Sequence, residues 1–293
     1  MSKIKPGLSF LSISAIAAAL ILFSCRASTQ PSLQEQQAPR AYLGFDRNIF
    51  PGNNALPILR RTFAFSGYWL SPPPTEKTNT WLGQRELLRS QGFGFLLLYR
   101  GPESREMNNE AAAIEKGTHG AADAASAAKK EGFPAQAIIF LDIEEGGRLP
   151  STYHSYLRAW AKGLAEAGYR PGAYCSGMPV KEEPGVTITT AEDIRAHVPS
   201  QDFVFFVYND ACPPAPGCTF PQNPPSPAQS GIPYAALWQF AQSPRRMEFS
   251  ARCPAGYHTD GNCYAPGDTA HSWFLDVETA NSSDPSSAAG PNN

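Results

Sequence analysis

The feature that most limits the fold of this chain is a regular exchange between apolar bursts of strand length and segments of helical period. Leu43–Asp46, Ala64–Leu70, Phe93–Tyr99, Ala137–Ile143 and Gly172–Ser176 read as strands. Ala55–Arg61, Trp81–Gln91, Gly120–Lys130, Thr152–Ala167 and Ala191–Val198 read as helices set between and after them. The pattern is clearest in Thr152–Ala167, where Tyr153, Tyr156, Leu157, Trp160, Ala161 and Leu164 fall on one stripe and Gly168 supplies the stop. Phe203–Tyr208, Ala235–Phe240 and Ser272–Val277 follow as strands separated by Pro-rich loops. Five βα units and three further strands predict an α/β fold closed as a TIM-type barrel, with an open doubly wound sheet as the alternative.

The flanks carry a different signal. Lys3 and Lys5 precede an uncharged run from Gly7 to Ser24, which reads as an export signal over residues 1–24 and is short for a membrane span. Leu22-Phe23-Ser24-Cys25 resembles a bacterial lipobox, so Cys25 is the expected lipidation site and residues 25–40, rich in Gln, Ser, Pro and Ala, its flexible linker. The barrel is then expected over 41–280, and the Ser/Pro/Asn-rich stretch 281–293 as a disordered tail. With 24 basic against 26 acidic side chains and 42% hydrophobic residues, the chain matches neither an electrostatic nucleic-acid binder nor a disordered protein.

Export also explains the cysteines. Cys212/Cys218 and Cys253/Cys263 form two close pairs in Pro/Gly-rich loops and read as two loop-stapling disulfides, which leaves Cys175 as a buried, inert thiol. Neither spacing is that of a zinc knuckle, and the five histidines, scattered, read as surface or loop residues; no metal and no cofactor is expected.

The sharpest chemical signal is the apolar strand Ile138-Ile139-Phe140-Leu141 ending in Asp142-Ile143-Glu144. Alternate strand residues share a face, so both carboxyls point into a barrel at its C-terminal end, where catalytic groups sit. Neighbouring carboxyls raise each other's proton affinity, which keeps one protonated near neutral pH as a general acid. Asp46 ends the first predicted strand and Asp276 the eighth, neighbours in a closed barrel. Glu278 offers a second Asp-x-Glu but reads as the turn into the tail.

Gly44-Phe45-Asp46, Asp142-x-Glu144 and Leu237-Trp238-Gln239-Phe240 with Leu275-Asp276 resemble the family 25 glycoside hydrolases, the lysozyme-type muramidases. The middle of the chain is similar to uncharacterised bacterial glycoside-hydrolase-like barrels of the same superfamily, through Tyr68, the Ala-rich helix around Asp123, and Gly132-Phe133-Pro134. The chain departs from the muramidase pattern at Leu98-Tyr99-Arg100, where a Tyr-His pair stands, and at Asp276-Val277-Glu278 in place of Asp-x-Asn.

The resemblance implies a hydrolase of cell-wall or other N-acetylated glycan, and the leader implies that it is exported, held to the membrane by its lipid or otherwise secreted. Glu144 is then the general acid and Asp142 its ionised partner, either nucleophile or the group that orients an N-acetyl oxygen. Asp46 and Asp276 hold water or tune those groups. Tyr68, Tyr99, Tyr174, Trp238 and Gln239 are the expected sugar contacts, Trp238 and Tyr99 foremost, since an aromatic face suits a sugar ring. The competing expectation is a catalytically inactive glycan-binding or scaffold lipoprotein on the same barrel.

Overall fold

A computed structural model describes residues 40–198, 203–250 and 255–290. The expected export signal, Cys25 and the linker up to residue 39 lie outside them, as does Cys253. Among the described residues, no helix is long and apolar enough to cross a membrane.

Eight strands close into a barrel. In chain order these are β1 (Tyr42–Asp46), β2 (Phe65–Trp69), β3 (Gly94–Arg100), β4 (Ile138–Asp142) and β5 (Arg170–Ser176), then, after an exposed hairpin of β6 (Val180–Glu183) and β7 (Val186–Ile188), β8 (Val204–Tyr208), β9 (Ala235–Ala241) and, beyond the short β10 (Cys263–Tyr264), β11 (Phe274–Ala280). β1 to β5, β8 and β9 pair in parallel and in sequence, and β11 seals the circle antiparallel to both β9 and β1. The fold is therefore an α/β TIM-like barrel of mixed strand direction. The reversal of β11 was not visible in the sequence, and it matters: Asp276, near the start of that strand, sits opposite Asp46 at the end of β1.

Helices α1 (Leu56–Leu59), α2 (Arg85–Ser90), α3 (Glu110–Lys130), α4 (Ser151–Glu166) and α5 (Thr190–His197) follow β1 to β4 and the β6–β7 hairpin, and α6 (Met247–Ser250) is a single turn after β9. The expected stripe of α4 is buried, from Tyr153 to Leu164, and Gly168 ends the turn with φ +84°. α3 starts ten residues before its predicted limit, capped by the Asn109 side chain on Ala112 N–H. Gly117, a poor helix former, is tolerated there because a Cβ would stand 2.5 Å from Tyr156 O, so the glycine is what lets α3 and α4 approach.

Two expectations need correcting. Residues 281–290 are not a disordered tail: they cross the N-terminal end of the barrel and bond the starts of β3 and β4, ahead of the point where these two strands pair with each other. Asp284 Oδ1 accepts from Phe95 N–H (2.9 Å), Ser286 Oγ from Leu97 N–H (2.8 Å) and Ser286 O from Ile138 N–H (2.8 Å). Polar composition hid this role, because Ser and Asp serve as well for capping open strand ends as for solvation. The disulfide pairing also differs. Cys218 is bonded to Cys263, with Cα atoms 5.6 Å apart and a sequence separation of 45, and Cys212 is disulfide-bonded as well. The bridge joins the loop after β8 to the one before β11, so nearness in sequence misled where nearness in space decides. Cys175 is free and buried, its thiol pushed up by burial.

Candidate active site

The strand ends converge on a cavity of about 160 Å³ at the C-terminal mouth, lined by Asp46, Asn48, Trp69, Asp142, Glu144 and Asp276, with Tyr174, Gln239 and Gln242 along one wall and Leu98, Phe206 and Pro74 as apolar filling. A larger groove of about 370 Å³ lies outside the barrel between α3 and α4, but its lining is ordinary helix surface such as Glu110, Arg158 and Lys162. The chemistry is in the smaller one, where four carboxyls meet.

Register explains the gathering. Arg100 pairs with Asp142, Asp142 with Tyr174 and Asp46 with Asp276, so the acids gather at one end of the barrel, where β1 and β4 finish and β11 begins. Asp142 is 3% exposed, its Oδ2 meeting no hydrogen-bond donor among the described residues, whereas Glu144, one pleat on, reaches solvent at the mouth. The two carboxyls lie within hydrogen-bonding reach of each other. Burial pushes Asp142 well above the usual carboxylate range, and the Glu144 charge adds to it. Glu144 is raised by its walls too, but the hydrogen bond from Asp142 and the guanidinium groups of Arg246 and Arg100 hold it back. Both carboxyls are thus raised, with burial acting more strongly on Asp142 than on Glu144.

The opposite wall is a relay of amides. Tyr174 Oη donates to Gln239 Oε1 (2.7 Å), which also receives Gln242 Nε2 (2.7 Å), and Gln239 Nε2 donates to Asp46 Oδ2 (3.2 Å). Asp46 is raised by burial, although its hydrogen bonds with Glu278 and Gln239 work against that. Asp276 is raised well above the usual range by burial and by the Asp46 charge, with Oδ1 receiving Ser243 N–H at 2.6 Å.

α5 holds the loop that follows Glu144. Thr190 Oγ1 lies 3.1 Å from Glu145 O and 2.9 Å from Gly147 O, and Asp193 Oδ2 accepts from Leu149 N–H at 2.9 Å. Asp193 also receives His154 Nε2 at 2.7 Å, which corrects the reading of that histidine as solvated: His154 is buried. His154, Asp193 and His197 are grouped closely enough to suggest a metal site, but the two imidazoles stack 4.4 Å apart at 8°. An ion cannot lie in two parallel ring planes at once, so this trio is a hydrogen-bonded fastening for the loop.

Of the expected sugar contacts, Tyr174 and Gln239 line the cavity and the other three do not. Tyr68 faces outward, bonded to Glu131 and packed on Phe133 and Phe95. Tyr99 packs on Trp160 of α4, ring centroids 5.2 Å apart, and Trp238 gives its Nε1–H to Asn209 O (2.9 Å) behind the sheet. Each lies one residue from an inward side chain: Trp69, Leu98 and Gln239. Trp69, one of the strand aromatics, is singled out by the strand parity that Asp46 and Asp142 fix, whereas Asn48 and Gln242 lie beyond the ends of β1 and β9 and carry no such signal.

Residues 66–211 match the family model of the Rv2525c-like, glycoside hydrolase-like domain. The chain carries an Rv2525c-like, glycoside hydrolase-like domain. The matched stretch runs from β2 to just past β8 and contains Asp142 and Glu144, while Asp46, Gln239 and Asp276 lie beyond it. Among solved structures, an uncharacterised B. stearothermophilus protein is 20% identical with a TM-score of 0.53, over 82% of this chain and 95% of its own. The Tat-secreted Mycobacterium tuberculosis protein Rv2525c, in complex with L-tartrate, is 14% identical with a TM-score of 0.45, over 82% and 95%. The catalytic domain of the endolysin ply40 from bacteriophage P40 of Listeria monocytogenes is 16% identical with a TM-score of 0.46, over 87% and 100%. No curated protein matches the chain. The first of these likenesses supports the barrel as a shared fold, and the chemistry of the domain rests on its own residues.

Proposed function

We propose that this protein is an exported hydrolase of N-acetylated, cell-wall-type glycan, with Glu144 as general acid and Asp142 as its partner. The observation that carries this reading is a carboxyl pair at one strand end, both members raised by burial, inside a cavity at the C-terminal mouth of the barrel. The leader, acylated Cys25 and linker 25–40 belong to the same proposal, since they place the barrel at the envelope where such a polymer lies.

Glu144 stands nearer the opening and is the carboxyl that meets a glycosidic oxygen. A bound sugar displaces water from it, and dehydration raises its proton affinity. The proton then passes from Asp142 to Glu144 along their hydrogen bond, leaving Asp142 ionised beneath the sugar. There the anion serves as nucleophile or orients the substrate's N-acetyl oxygen, and Asp46 and Asp276 face the same ring from β1 and β11. The cavity, small beside the roughly 300–1,000 Å³ of drug-sized ligand sites, takes about one ring, with the rest of a chain outside on the rim.

Release of reducing ends from peptidoglycan and chitin oligomers tests the assignment. Glu144→Gln should lower the rate at least about a hundredfold on these substrates and much less on a glycoside whose leaving group needs no proton. Binding that survives in Glu144→Gln, with no reducing ends released by the wild type, would replace the enzyme by a glycan-binding barrel.

A further inference from the structure

Glu278 is a buried acid for which the proposed chemistry has no use. It is 0% exposed, one pleat below Asp276 on the inner face of β11, and in register it stands opposite Gly44 of β1 and Gln239 of β9. Gly44 brings no side chain to this place, and the amide nitrogen of Gln239 is already given to Asp46. Among the described residues neither Glu278 oxygen makes a hydrogen bond of ordinary geometry, the backbone N–H of Asp46 being a weak donor to it. The titratable groups that face it are both acids, Asp46 from β1 and Asp276 from its own strand. An ionised carboxylate placed there would lose its hydration, gain one weak backbone donor in return and be repelled by two neighbours.

We propose that Glu278 is carried as a neutral carboxylic acid whose O–H donates to Asp46, making it the positioning residue that holds Asp46 as a fixed, ionised acceptor on the cavity floor. Protonated, it turns a carboxyl–carboxyl clash into a donor–acceptor contact. Asp46 then has one donor on each side, Gln239 and Glu278, and its side chain is locked toward the sugar-facing cavity. Electrostatics agree with the geometry: burial first, then the Asp46 charge, pushes Glu278 well above the usual range, while burial raises Asp46 and the Glu278 hydrogen bond works against that rise. The role given to Asp46 rests on the hydrolase reading, but the protonation of Glu278 does not.

The sign of the pH dependence follows. A carboxyl that binds its proton more tightly folded than unfolded stabilises the fold at low pH, and that stability is lost as pH rises above the ordinary glutamate value of about 4.3 toward the raised one. Glu278→Gln cannot lose it. Thermal melting of wild type and Glu278→Gln between about pH 4 and pH 8 should therefore show the variant gaining several degrees relative to wild type as pH rises, with the smallest gap at the acid end. A gap that does not change with pH overturns the proposal. Protein that keeps Glu278 gives a second reading, by NMR of the Glu144→Gln variant labelled with ¹³C at glutamate side chains. One carboxyl carbon should keep the shift of the protonated acid at neutral pH, and a full set of ionised glutamates overturns the proposal even if Glu278→Gln fails to fold. Where turnover is measurable, Glu278→Ala should move the acid limb of the pH–rate profile upward, and Glu278→Gln, which keeps a donor, should leave it in place. None of the stability or NMR readings depends on turnover, so an inactive protein with the expected melting behaviour would fail the hydrolase reading and keep this one.

Discussion

At the scale of single residues, the site depends on what is absent as much as on its acids. Gly67 of β2 lies against Asp46, and a Cβ there would stand 2.5 Å from Asp46 Cβ and 3.1 Å from its Cα. One partner is backbone, so no rotamer relieves the contact. Gly67→Ala should cost about 1–3 kcal/mol in denaturant unfolding, as overpacking does, and should weaken glycan turnover more than its small loss of stability explains. An alanine variant with unchanged unfolding and unchanged turnover would show that Asp46 has room to move. The acids themselves were legible because a charge that ends an apolar run is conspicuous. The aromatics were not, since strands of such a barrel are buried on both faces and write continuous apolar letters in place of alternation. Tyr68-Trp69 and Leu98-Tyr99 give no hint of which member faces inward until the parity is anchored by Asp46 and Asp142 on the neighbouring strands.

Among the elements, α5 has the most to do with the proposed chemistry, although it contributes nothing to the cavity lining. Its first residue, Thr190, is fully buried and reaches two carbonyls of the loop after Glu144, and Asp193 one turn later takes the Leu149 N–H. A Thr189/Glu192 capping box fixes the helix start from which both act. Thr190→Val keeps the volume and removes the hydroxyl. It should lower stability by about 1 kcal/mol and reduce kcat while leaving KM nearly unchanged, because it frees the loop that aims Glu144 without touching the sugar wall. Equal losses in KM and kcat would assign the loop to binding. The sequence shows this helix as Ala191–Val198, within a residue of its true bounds, but its tie to the loop after β4 joins segments more than forty residues apart. No local pattern records such a contact. The same limit governs the disulfides, where two loops distant in sequence meet, and α3, whose glycine has meaning only against α4.

The whole molecule is a barrel whose two ends do different work. Its mouth holds the acids, and its base is finished by the last described residues, which run on from β11 and return under β3 and β4. Phe95 and Ile138, the residues they bond, begin the same strands that end in Arg100 and Asp142, so a full strand length separates the base from the cavity. Ser286 takes part in three of these bonds, receiving Leu97 N–H and Ile138 N–H and giving its own N–H to Phe95 O at 2.9 Å. A chain cut after Ala280 should therefore lose roughly 2–5 kcal/mol, the sum of several hydrogen bonds at about 1 kcal/mol each and of donors left buried and unpaired. Ser286→Ala, which removes one side-chain acceptor and keeps the backbone bonds, should lose about 1 kcal/mol. Both are read from urea unfolding, and both should leave glycan binding unchanged at temperatures where the fold is intact. A truncated chain as stable as the full one would return residues 281–290 to the role of a solvated tail. Loss of binding with the fold intact would mean instead that the base and the mouth are coupled through the barrel wall.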